Sequence, residues 1–95
     1  MIDDGDKVKK ALVTASIEKS LLGFGQPVYE QVIWALQKEY NCYLPDCYEH
    51  PEYLSVILEK LFGEANRYII KSINVQLEEF SHIENIARFL EIINR

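Results

Sequence analysis

The chain has 95 residues, 48% of them hydrophobic and 26% charged, which is the balance of one small globular domain and excludes an intrinsically disordered segment. Fifteen acids against ten bases give a net charge of −5, spread along the chain, which argues against a phosphate-backbone or anionic-membrane partner. No apolar run is long enough to span a bilayer, and the acidic start MIDDGD lacks the apolar core of a secretion signal, so a cytoplasmic domain with reduced cysteines is expected.

Apolar spacing predicts an all-α bundle of four to five helices, forming one domain over residues 1–95. The first six residues should fray, with Asp3, Asp4 and Asp6 favourable near a helix N-terminus. A first helix follows over about residues 7–22 and stops at Gly23. It carries two apolar stripes on roughly opposite sides: Val8, Ala11, Leu12, Ala15 and Leu22 on one, Val13, Ile17 and Leu21 on the other. The first stripe is expected to face the core, which leaves the second as spare surface.

Pro27 opens a second helix that reaches about Tyr40, with Val28, Val32, Ile33, Leu36 and Tyr40 inward and Trp34 to one side. Asn41 ends it. Pro51 then starts a third helix, with His50 in the N-cap place, Leu54, Ile57, Leu58, Leu61 and Phe62 on its apolar face, and Gly63 as its stop. A fourth covers about residues 64–80, with Ala65, Ile69, Ile73, Leu77 and Phe80 inward and Tyr68 and Val75 on a weaker second stripe. Ser81 and Glu84 have capping-box spacing and predict a fifth helix. That helix carries Ile83, Ile86, Ala87, Phe89, Leu90, Ile92 and Ile93, apolar around most of its circumference.

The stretch over residues 41–53, NCYLPDCYEHPEY, concentrates both cysteines, two prolines, His50 and three tyrosines. Cys42, Cys47 and His50, with His82 in reserve, have the chemistry of zinc or redox ligands, but their spacing is not that of a finger or ribbon. Small buried thiols are the simpler reading, and no metal or other cofactor is expected. A Cys47–His50 nucleophile oriented by Asp46 lacks any converging pocket or oxyanion hole, and the phosphate-loop, HExxH and GxSxG motifs are absent, so no enzyme activity is expected. Tyr40, Tyr43, Tyr48 and Tyr53 suit a protein interface as well as they suit core packing.

Surplus apolar surface marks interaction sites. The expected contact residues are Val13, Ile17 and Leu21 on the first helix, Tyr43 and Tyr48 in the loop, Tyr68 and Val75 on the fourth helix, and Ile86, Phe89, Ile92 and Ile93 on the fifth. The expected function is a non-enzymatic interaction or regulatory module, a homodimer or the binder of a partner protein. A DNA-binding regulator is the alternative, with Lys7, Lys9, Lys10 and Lys19 as its local basic concentration; a zinc- or redox-responsive sensor is the third.

The run NCYLPDCYEHPEYLSVILEKLFG, followed by IIKSI and LEEF, resembles the small archaeal domain family called Nitrosopumilus output domain, over about residues 12–90 and most specifically 40–63. The resemblance implies a helical, cytoplasmic, archaeal signalling module, found alone or fused to phosphoacceptor receivers. It brings no catalytic residues, and no receiver domain is expected within these 95 residues.

Overall fold

The computed structural model describes residues 4–95 and contains five α-helices: α1 (Asp4–Gly23), α2 (Gln26–Tyr40), α3 (Pro51–Phe62), α4 (Asn66–Leu77) and α5 (Glu84–Ile93). Short 3-10 turns lie at Leu44–Tyr48, Gly63–Ala65 and Glu78–Phe80, and no strand occurs among the described residues. The Cα radius of gyration is 12.4 Å, close to the ~12 Å of a compact chain this long. α1 packs against α2, α4 and the Leu44–Tyr48 turn, while α3 lies against α2 and α5.

α1 ends at Gly23 as expected, but the positive φ falls at Gly25 rather than at Gly23. Gly25, at φ 118°, turns the chain from α1 into α2, a conformation open to glycine at little cost. Asn41 ends α2 in the left-handed region at φ 51°; its N–H donates to the Gln37 carbonyl, and the Cys42 N–H reaches back to Leu36. Gly63 ends α3 differently, at φ 56° and ψ −135°, a conformation open to glycine, with its N–H donating to the Glu59 carbonyl.

The core is aliphatic and draws on every helix. Ile17, Leu36, Leu54, Ile57, Leu58, Ile73, Leu77, Ile86 and Ile93 are fully buried, with Phe89 the largest side chain among them. Each such residue contributes about 1.5–3 kcal/mol relative to an exposed one.

Four expectations are corrected. The inward face of α1 is Val13, Ile17 and Leu21, all with zero exposure, while Val8, Ala11, Ala15 and Leu22 face solvent. Branched and long side chains fill the space against α4 and the turn, and two alanines could not. Second, α5 has little spare surface: Ile86, Phe89, Leu90 and Ile93 are buried and Ile92 is half-buried, because α3, α1 and α4 all pack on this helix. Third, Ser81 does not open α5. Its hydroxyl donates to the Glu78 carbonyl at 2.8 Å, so it closes the preceding turn, and α5 begins at Glu84 after Ile83. At the N-terminus, Gly5 and Asp6 are helical rather than frayed; the expectation for Met1–Asp3 lies outside the described residues.

Candidate functional site

Loop 41–50 lies against α1 because it is half core. Leu44 and Cys47 are buried within the 3-10 turn Leu44–Tyr48, and Pro45 stands near its start. Asp46 caps the turn, its carboxylate accepting the Tyr43 N–H at 2.8 Å. Two polar ties then fasten the turn to α1. The Tyr48 hydroxyl donates to Asp6 Oδ1 at 2.8 Å, and Lys10 Nζ pairs with Glu49 at 3.0 Å. Asn85, near the start of α5, reaches the same Asp6 oxygen at 3.4 Å. Burial and the bond to Asp6 push the Tyr48 phenol up to about 12.

The tyrosines divide between these roles. Tyr40 of α2 and Tyr53 of α3 stack at 4.0 Å with rings 5° apart, and His50 stacks on Tyr53 at 4.6 Å and 11°. Two near-parallel neighbours at such distances occupy opposite faces of Tyr53, so three rings from three segments make one column. Tyr43 stands out of it, 68% exposed.

The thiols are inward. Cys42 and Cys47 are both free and buried. Burial, then the neighbouring Cys42, Asp46 and Glu52, pushes the Cys47 thiol up to about 12, and burial raises Cys42 as well. A nucleophile or metal ligand must be a thiolate, and these surroundings oppose one. His50 is turned to Glu52, with Nδ1 3.3 Å from Oε1, and stacked on Tyr53. Among the described residues no three His, Cys, Asp or Glu side chains gather to hold a metal ion. His82 is exposed.

The lysines named for DNA contact point in several directions: positions 7, 9, 10 and 19 fall around the whole circumference of α1 at ~100° per residue, and Lys10 is occupied by Glu49. Of the expected contact residues, Tyr43, Tyr68 and Val75 are well exposed; Val13, Ile17, Leu21, Ile86, Phe89 and Ile93 are core. Sequence reasoning missed the surface that takes their place. The outer face of α1 presents Val8, 66% exposed, then Ala11, Ala15 and Leu22 in line. Beside the alanines runs an open groove of about 450 Å3, lined by Lys7, Lys10, Ala11, Thr14, Ala15, Glu18 and Pro45. The usable signal was side-chain size: of two apolar stripes, the alanine-rich one is the worse core. Trp34, 62% exposed on α2 with the Lys38 ammonium 4.6 Å from its ring centre, is a separate surface aromatic.

No helix among the described residues is long and apolar enough to cross a membrane. No family model matches the chain, and neither a curated protein nor a solved structure matches it. The likeness to the output domain family therefore stands on the quoted residues alone.

Proposed function

We propose that this domain is a non-enzymatic, self-associating regulatory module whose contact surface is the outer face of α1 with Pro45 at its edge. The observation that carries the reading is the solvent-facing line Val8, Ala11, Ala15 and Leu22 with its adjoining groove. The alanines allow a second helix to approach closely, since interaxial distance depends on the side chains at the crossing.

The occupant is a second copy of the same face, and charge supports that choice. In an antiparallel pair centred between Ala11 and Ala15, a two-fold axis sets Lys7 of one copy on the same flank as Glu18 of the other. The two lie about six and about five residues from the centre, so they meet at similar heights along the helix. The symmetry makes the ion pair twice. A regulatory output of the kind the resemblance implies would then be set by the monomer–dimer balance.

The test is solution mass by light scattering over a concentration series, with reductant present. A rise from the 11.1 kDa monomer toward twice that mass is expected. Ala15→Glu should hold the chain monomeric with unchanged helical circular dichroism. Lys7→Glu should weaken the dimer, and adding Glu18→Lys should restore it. A wild type that stays monomeric at all concentrations ends the proposal.

A further inference from the structure

The second cleft of note lies between α4 and the end of α5. Its lining is Asn66, Arg67, Ile70, Lys71 and Asn74 from α4, with Ile93, Asn94 and Arg95 opposite, around a space of about 410 Å3. Three of the ten basic residues of an acidic chain converge here, and no Asp or Glu lines the space. Arg67, Lys71 and Asn74 recur at i, i+4 and i+7, so they share one face of α4. Among the described residues the acidic contact of the cluster is Arg95 with Glu91, at 3.5 Å between two mostly exposed side chains, which a competing anion displaces at little cost.

The walls are held apart at a fixed spacing. Asn74 and Asn94 bond reciprocally, each Nδ2 donating to the other's Oδ1 at 3.0 Å. The remaining hydrogens are used as well: Asn74 Nδ2 donates to the Ile70 carbonyl at 2.8 Å, and Asn94 Nδ2 to the Leu90 carbonyl at 2.6 Å. All amide donors of the pair are spent, so the two asparagines clamp the helices and leave anion binding to the cations and Asn66. The accessible apolar floor is the half-buried Ile70, with the fully buried Ile93 beneath it. A pre-formed cleft avoids ordering costs on binding.

We infer that this cleft binds a small phosphate-bearing ligand, with the Arg67 and Arg95 guanidinium groups and the Lys71 ammonium on the phosphate oxygens and the ligand's organic body over Ile70. Planar guanidinium forks match phosphate geometry in two-point contact, while lysine adds a point charge. The site is independent of the α1 face, so it stands or falls apart from self-association.

The experiment is a 1H–15N NMR titration of the full chain with inorganic phosphate, pyrophosphate and a nucleoside monophosphate, against sodium chloride at equal ionic strength. Saturable shifts confined to residues 66–74 and 93–95 are expected. A nucleoside monophosphate binding more tightly than phosphate would place the organic body on the isoleucine floor. Equal affinity for the two would limit the site to the phosphate and remove that part of the inference. Arg67→Gln and Lys71→Gln, both at exposed positions, should each weaken binding roughly tenfold while leaving the remaining amide spectrum unchanged. Shifts equal to those in sodium chloride, or unchanged affinity in both variants, would overturn the inference. So would saturation by duplex DNA alone, which would make the cleft part of a nucleic-acid surface.

Discussion

The inner and outer faces of α1 carry similar numbers of apolar residues and end in opposite environments. Inside are Val13, Ile17 and Leu21 together with two serines; outside are Val8, Ala11, Ala15 and Leu22. The buried serines do not undo the inner face because both are bonded. Ser16 donates to the Leu12 carbonyl at 2.9 Å, and Ser72 of α4 donates to the Ser20 hydroxyl at 3.0 Å. Burial here follows the volume a side chain can fill and the bonds a small hydroxyl can find, more than a hydropathy sum. A serine fits at a close helix–helix contact; an alanine stripe in the same place would leave gaps.

That contrast can be broken most forcefully on the inner side. Ile17→Ala should lower unfolding stability by about 2–5 kcal/mol in denaturant titration, since the core around it relaxes only in part. Ala15→Glu, two residues away on the opposite face, should change stability by no more than about 0.5 kcal/mol while abolishing association. Equal losses in the two variants would mean that α1 is not seated as described.

Alkaline pH probes the same inner region through the turn packed on α1. Cys47 and Tyr48 have ordinary values of 9.0 and 10.0, and each is raised to about 12 in the folded chain. The unfolded chain therefore releases these protons first, and the native state binds more of them between pH 9 and 12. Stability should be complete below pH 9 and decline as pH rises toward 12, by up to about 1.4 kcal/mol per pH unit for the buried thiol. Cys47→Ala should flatten that slope in urea titrations repeated across the window; an unaltered slope would assign the loss to another group.

A smaller effect sharpens the comparison at the edge of the helix. Tyr48→Phe removes the hydroxyl that ties the turn to Asp6 and should cost about 1 kcal/mol. Amide exchange should quicken in residues 44–48 and in the first turn of α1, while α4 stays protected. No change in exchange would mean that Lys10–Glu49 and the buried Leu44 and Cys47 hold the turn without Tyr48.

Much of the fold was legible because the boundaries are written in residues with special backbone chemistry. Gly23, Asn41, Pro51 and Gly63 each stand where a helix stops or starts, and the helix types follow from spacing. The facing of α1 was misread because two opposed stripes are nearly degenerate in hydropathy, and side-chain size rather than hydropathy tells them apart. Ser81 misled because its box spacing is local, whereas the chain uses its hydroxyl on the turn before it. The Tyr40–Tyr53–His50 column was illegible for a different reason: its rings come from two helices and the loop between them. In the α4–α5 cleft, Arg67 and Lys71 at i, i+4 with no acid between them were a readable sign. Arg95 joins them only through the fold, and the Asn74–Asn94 clamp spans 20 positions.

The closed environment of Cys47 also gives the domain an internal clock. With no solvent contact and a proton held to about 12, its sulfur can be alkylated in neutral solution only while the turn is open. The rate at which iodoacetamide reaches it, measured by mass spectrometry, therefore counts openings of the α1–turn seam. In the limit of fast reclosing it reports their equilibrium population, read from a single atom without denaturant or added label.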